Sequence, residues 1–130
     1  MSQAGVGSTG GGGGGQTFTG TTTTVDNATS TVATLPLGSI PHVYTFTTQV
    51  GGLDPTNNIG ASYVLVGAVR TNGTTATLIP GQSKDEFEET GMTAANVDIS
   101  VSGNSAIFQV TGVTGHNMDW GISGSYTIVS

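Results

Sequence analysis

From Met118 onward, every second position falls into one of two rows. Met118, Trp120, Ile122, Gly124, Tyr126 and Ile128 make the apolar row; Asn117, Asp119, Gly121, Ser123, Ser125, Thr127 and Val129 make the other. Successive side chains of a strand point to opposite faces, so alternation held this long predicts a half-buried antiparallel strand. The one tryptophan of the chain lies in the apolar row, which makes Trp120 the expected anchor of the core. Ser105 to Thr111 alternates in the same way, with a Gly-bearing loop, Gly112 to His116, between the two segments. Together they read as one β-hairpin ending at Ser130.

The period of two recurs upstream. Tyr44, Phe46 and Val50 share one face of Val43 to Val50, with Thr45, Thr47 and Gln49 on the other. Val97, Ile99 and Val101 alternate with Asp98, Ser100 and Ser102, and Gly103-Asn104 makes a turn, so the chain is expected to end in a three-strand meander. Ser62 to Arg70 is apolar on both faces, the pattern of a strand covered on both sides. Asn72-Gly73 follows it and predicts a type I′ hairpin to Thr74–Ile79, since that turn needs positive φ at both central residues. Thr31 to Leu35 reads as a short strand stopped by Pro36, and Gly51 to Asn58 as a surface loop. Ser83 and Glu86 stand at capping-box spacing. Gln82 to Thr90 nevertheless reads better as an edge strand, with Phe87 inward and charges outward.

No repeat of 20–50 residues occurs, which excludes a solenoid. The expected fold is all-β: an antiparallel β-sandwich or jelly-roll-like head of seven to eight short strands. Residues 1–24 form a Gly/Thr-rich extended arm in this reading, and residues 25–130 the sandwich. Thr17-Phe18-Thr19 and Thr21 to Val25 carry few core-forming side chains and are expected to cross to the domain. Within the arm, Gly10, Gly11, Gly12, Gly13, Gly14 and Gly15 are consecutive. Such a run is either a flexible tether or a segment ordered by backbone contacts to a larger body. With Phe18 it forms the candidate assembly arm.

Composition narrows the partners. The apolar fraction is 35%, below the usual ~45–50%, so association is expected to cover part of the surface. A net charge of −6 with two basic residues argues against nucleic acid and against an anionic membrane. No apolar run approaches the ~20 residues of a membrane-crossing helix, and no secretory signal pattern is visible. There are no cysteines, hence no disulfides and no thiolate metal sites.

Candidate chemistry is sparse. Asp85, Glu86, Glu88 and Glu89 are the densest charges, but their side chains diverge along a strand, whereas Ca²⁺ needs six to eight converging oxygens. Asp54, Asn57 and Asn58 in one loop and His116 in another are candidate contact residues. His42 and His116 would have to meet through the fold to act together. No nucleophile elbow and no phosphate-binding loop is present. No catalytic residue, metal site or cofactor is therefore expected, and the chain reads as a non-enzyme. Tyr44, Tyr63 and Tyr126 would support a carbohydrate-binding module only if one of them faced outward.

Two parts of the chain resemble bacteriophage virion appendage proteins of the tail-fibre and tail-tip type. One is the opening, Met1-Ser2-Gln3-Ala4-Gly5, followed by the glycine run and Gln16-Thr17-Phe18-Thr19-Gly20. The other comprises Thr34-Leu35-Pro36-Leu37-Gly38, Val66 to Thr71, Glu88-Glu89, Val101 to Asn104, and Gln109 to Val113 on to Asp119-Trp120. The resemblance covers nearly all of the chain. It implies a virion structural protein, held on the particle by its arm and displaying a β-sandwich head for adhesion or decoration, on a tail or a capsid. It further implies a homotrimer, other virion proteins as partners, and a host surface glycan or receptor as target. No shaft separates arm from head, which favours a small accessory subunit. A self-assembling extracellular fibre subunit, its Thr-rich arm completing a neighbour's sheet, is the alternative from a different class.

Overall fold

The computed structural model describes residues 16–129. Gly10 to Gly15 lie outside the described residues. Eight strands follow in order: β1 (Gln16–Val25), β2 (Thr29–Pro36), β3 (His42–Asp54), β4 (Ile59–Thr71), β5 (Ala76–Glu88), β6 (Asn96–Ser102), β7 (Ser105–Thr111) and β8 (Asn117–Val129). They form an antiparallel sandwich of a five-stranded sheet, β1-β8-β3-β4-β5, and a three-stranded sheet, β2-β7-β6. The all-β expectation is met, with four strands reaching 13 residues.

Several elements depart from the sequence reading. Gln16–Val25, expected to cross to the domain, is a strand of the large sheet, paired along its length from Gln16↔Tyr126 to Val25↔Asn117. Its one large apolar side chain, Phe18, is 5% exposed and reaches the ring of Phe108 at 4.9 Å. Glycine at position 124 makes room for it, since a Cβ there would lie 2.6 Å from the Phe18 ring. Thr21 to Val25 thus belong to an edge strand of the chain's own large sheet, paired on one side with β8.

Ser105–Thr111 and Asn117–Val129 do not form the expected hairpin. β7 pairs with β2 and β6, while β8 pairs with β1 and β3. Both strands have an apolar row, and Phe108 and Tyr126 contribute to one core when the rows face each other across the sandwich. The connecting loop therefore steps between sheets, and the final meander reduces to the β6–β7 hairpin.

β3 continues through Gly51 and Gly52 to Asp54, so the expected loop shrinks to Pro55–Asn58. Gly52 faces inward beneath Trp120, whose ring would stand 2.6 Å from a Cβ there. Asn72-Gly73 does join β4 to β5, but only Gly73 of the pair has positive φ. The turn is instead held by Asn72 Oδ1, which accepts from the backbone N–H groups of Thr74 and Thr75. β4 buries only one face: Tyr63, Leu65 and Val69 are fully buried, whereas Val66 on the other face is 38% exposed.

β5 is an edge strand, but Phe87 points outward and is 60% exposed. The register runs from Ala76 and Leu78, which face in, past an irregularity at Pro80–Gln82. That parity turns Gln82, Lys84 and Glu88 inward, where each finds a partner. The Gln82 amide donates to the Ile99 carbonyl at 3.2 Å and accepts from its N–H at 3.1 Å, filling in for a strand between β5 and β6. Lys84 reaches Asp98, and Glu88 accepts the Tyr63 hydroxyl. Burial and this bond push the Tyr63 hydroxyl's pKa up.

Trp120 is buried at 2%. It lies toward one end of the core, stacked against Tyr63 and donating from Nε1 to Thr24 Oγ1. The densest aromatic packing surrounds Phe46, whose ring meets Phe108 at 5.2 Å and Tyr126 at 5.7 Å. Such pairs add about 0.5–1.5 kcal/mol each beyond area burial.

Candidate functional site

The two loops singled out in the sequence meet at one end of the sandwich. β1 ends there at Val25, β3 at Asp54, and β8 begins there at Asn117. Asp54 is the hub. Its side chain is 1% exposed, and its carboxylate accepts hydrogen bonds from both sides. Oδ1 takes the backbone N–H groups of Thr56 and Asn57; Oδ2 takes the Asn57 amide at 2.7 Å and His116 Nδ1 at 2.6 Å. The Asn57 amide, followed by the His116 bond, holds the Asp54 carboxyl well below the usual range, at about 2. Asn58 adopts φ of 55°, a left-handed conformation that asparagine tolerates better than most side chains.

A third loop joins the cluster. Asp26, at φ 53°, accepts the Gly115 N–H at 2.8 Å and donates its own N–H to the His116 carbonyl. Three turns, β1–β2, β3–β4 and β7–β8, are thus fastened to one another. Asp54, Asn57 and His116 come together as the two expected contact loops do; Asn58 sits on the exposed shoulder of the same turn.

This chemistry is that of a clasp. An Asp–His pair is part of a nucleophilic triad, which also requires a hydroxyl or thiol on the far ring nitrogen. Among the described residues none hydrogen-bonds there. The Asp54 oxygens are taken up by four donors. Among the described residues no group of three His, Asp or Glu side chains converges as a metal site would require. The run Asp85 to Glu89 is dispersed, with Glu88 on Tyr63 and Glu89 accepting the Gly60 N–H.

Other expected residues lie elsewhere. His42 begins β3 at the opposite end from His116, so the two histidines do not meet. Phe18 belongs to the core. Tyr44, Tyr63 and Tyr126 are all buried, so the tyrosine face that a carbohydrate-binding module would have used is absent among the described residues. Sequence reasoning missed Asp26, a turn residue whose partner lies 89 positions away, and Met92, which is fully buried in the segment joining β5 to β6. No local pattern signals either one.

No family model and no curated protein matches the chain. Two solved structures are similar over most of it, at low identity. One is the tailspike protein gp49 of Acinetobacter baumannii bacteriophage Fri1, described as a capsular polysaccharide depolymerase. It shows 19% identity and a TM-score of 0.46, covering 86% of this chain and 17% of that one. The other is the tailspike protein of Acinetobacter baumannii phage AM24, with 11% identity and a TM-score of 0.38 over 88% of this chain and 26% of that one. This chain therefore spans about a sixth and about a quarter of their lengths.

Proposed function

We propose that this chain is a non-enzymatic structural protein of a bacteriophage particle. Its N-terminal arm secures it to other virion proteins, and its β-sandwich is displayed outward for adhesion or decoration. The observation that carries this reading is the polarity of the sandwich. Gln16, where the arm joins, pairs with Tyr126 at one end; the fastened loops around Asp54 and His116 occupy the other. A molecule held at one end and exposing a rigid set of loops at the other suits attachment and contact. The resemblance of the opening and of the strand motifs to phage appendage proteins supports the same role.

Association into a homotrimer belongs to this reading, and the part of the large sheet's outer face nearer Gln16 offers apolar surface for it. Val66 and Val129 are 38% and 55% exposed there. The target at the loop end would be a host surface glycan or protein receptor.

Removing residues 1–15 tests the proposal, because β1 is left whole. The deletion protein is expected to fold with an unchanged melting temperature and to be missing from particles that incorporate the full chain. Incorporation of the folded deletion protein at the full level would refute the arm's role.

A further inference from the structure

The outer face of the five-stranded sheet is crossed by a depression that the core does not account for. One row runs perpendicular to the strands: Thr21, Gly121, Gly51, Ser62 and Phe87, each paired with the next across β1, β8, β3, β4 and β5. Four inter-strand steps give the row a length of about 19 Å. An open depression of about 590 Å³ lies over its β1–β4 part, walled by Thr19, Gln49 and Ser123. A second, of about 360 Å³, continues from Gly51 and Ser62 to Phe87, with Leu53 and Asp119 beside it.

The floor is cut by two glycines that nothing within the chain demands. The inward glycines of the same strands are explained: Gly52 by Trp120 and Gly124 by Phe18. A Cβ on Gly51 would meet nothing within 4 Å, and one on Gly121 only the Gly20 carbonyl oxygen, at 3.9 Å. Glycine within a strand costs roughly 0.5–1 kcal/mol relative to alanine, and it often marks a place where another molecule approaches the backbone closely. Phe87 supplies the second observation. Its ring is 60% exposed at the end of the row, although polar residues from the same strand turn inward.

We propose that this trough binds a linear, uncharged oligosaccharide. A pyranose ring has an apolar C–H face and a rim of hydroxyls. The Cα floor and the Phe87 ring suit the first; the Thr19, Thr21, Ser62 and Ser123 hydroxyls and the Gln49 amide suit the second. The backbone groups beneath are used in the ladder, and the trough runs across the strands, so a peptide could not add to the sheet there. Charge selects among sugars. The ionisable groups beside the trough, Asp119 and Asp85, are exposed carboxylates. Arg70 lies toward the opposite end of that face, and Lys84 turns to the other layer and pairs with Asp98. An acidic saccharide would meet repulsion and no cation. This site stands whether or not the chain belongs to a particle.

The test uses the full chain in dilute solution, with backbone amide NMR titrations against linear neutral tetrasaccharides of hexoses and N-acetylhexosamines. An acidic uronate tetrasaccharide is the control. Shifts are expected to centre on Gly51, Ser62, Phe87 and Gly121 with at least one neutral sugar, at a Kd on the order of 1 mM. Gly51→Val, which fills open space, and Phe87→Ser are each expected to weaken binding at least ~10-fold, equivalent to about 1.4 kcal/mol, with the melting temperature kept. Silence toward every neutral sugar, equal or tighter binding of the uronate, or unchanged affinity in both variants would overturn the proposal. So would the same shifts appearing on raising the protein concentration alone, which would assign the trough to a second copy.

Discussion

At the scale of single residues, the same side-chain type does opposite things according to the face it occupies. Gly52 and Gly51 are neighbours on β3, yet Gly52 lies under the Trp120 ring while Gly51 opens to solvent. Gly52→Ala is expected to destabilise by about 1–3 kcal/mol, because the ring has to shift. Gly51→Ala is expected to be neutral or to stabilise by up to ~1 kcal/mol, since it removes unfolded-state freedom without a clash. Urea unfolding of the two variants checks the contrast. Asp54 gives a pH signature. Its folded-state pKa, about 2, lies below its value of 3.8 in the unfolded chain. Its contribution to stability is therefore complete above about pH 4 and is lost as the pH falls toward 2. Melting temperatures between pH 5 and pH 2 should show a steeper decline in the wild-type protein than in Asp54→Asn, whose amide does not titrate. Parallel declines would mean that other carboxylates govern acid sensitivity.

At the scale of elements, the strands with regular alternation were legible in the sequence, and their partners were not. The apolar row of β8 is legible residue by residue, because period-two burial is a local property. Its pairing with β1 and β3 was hidden, since both β7 and β8 carry an apolar row, and two such rows can share a sheet or face each other across a core. β1 escaped notice for a related reason. Its inward positions are Gln16, Phe18, Gly20, Thr22 and Thr24, so only one of them looks like core. Phe18 nevertheless completes the aromatic cluster, and Phe18→Ala is expected to cost about 3–5 kcal/mol in chemical denaturation. A deletion of residues 1–20 would therefore unfold the domain that a deletion of residues 1–15 spares. β5 was legible as an edge, but its facing was not, because its inward polar residues are satisfied only by Ile99, Asp98 and Tyr63 of other strands. Gln82→Ala leaves the Ile99 backbone groups unpaired and is expected to cost about 1–3 kcal/mol. Hydrogen exchange at the Ile99 amide should quicken more than at Phe108, whose strand lies in the middle of the small sheet.

At the scale of the whole molecule, the two ends of the sandwich differ in kind. The end at Gln16 also carries the Asn72–Thr75 turn, and the far end carries the three fastened loops. Loop composition marks the candidate contact residues, and the fold joins Asp54 to His116 through a hydrogen bond between residues 62 positions apart. That bond lies beyond any local pattern. Under the proposed function, the joined loops are a rigid display surface, set opposite the point of attachment. The chain has no cysteine, so single thiols can report this polarity without background. Thr56 and Thr75 are exposed at opposite ends of the isolated chain. The decisive measurement is maleimide labelling of Thr56→Cys and Thr75→Cys, each in the free protein and again in assembled particles. Equal labelling of both when free, with Thr56→Cys still reactive and Thr75→Cys protected in the particle, is the predicted result. Protection of Thr56→Cys with Thr75→Cys left reactive would contradict it.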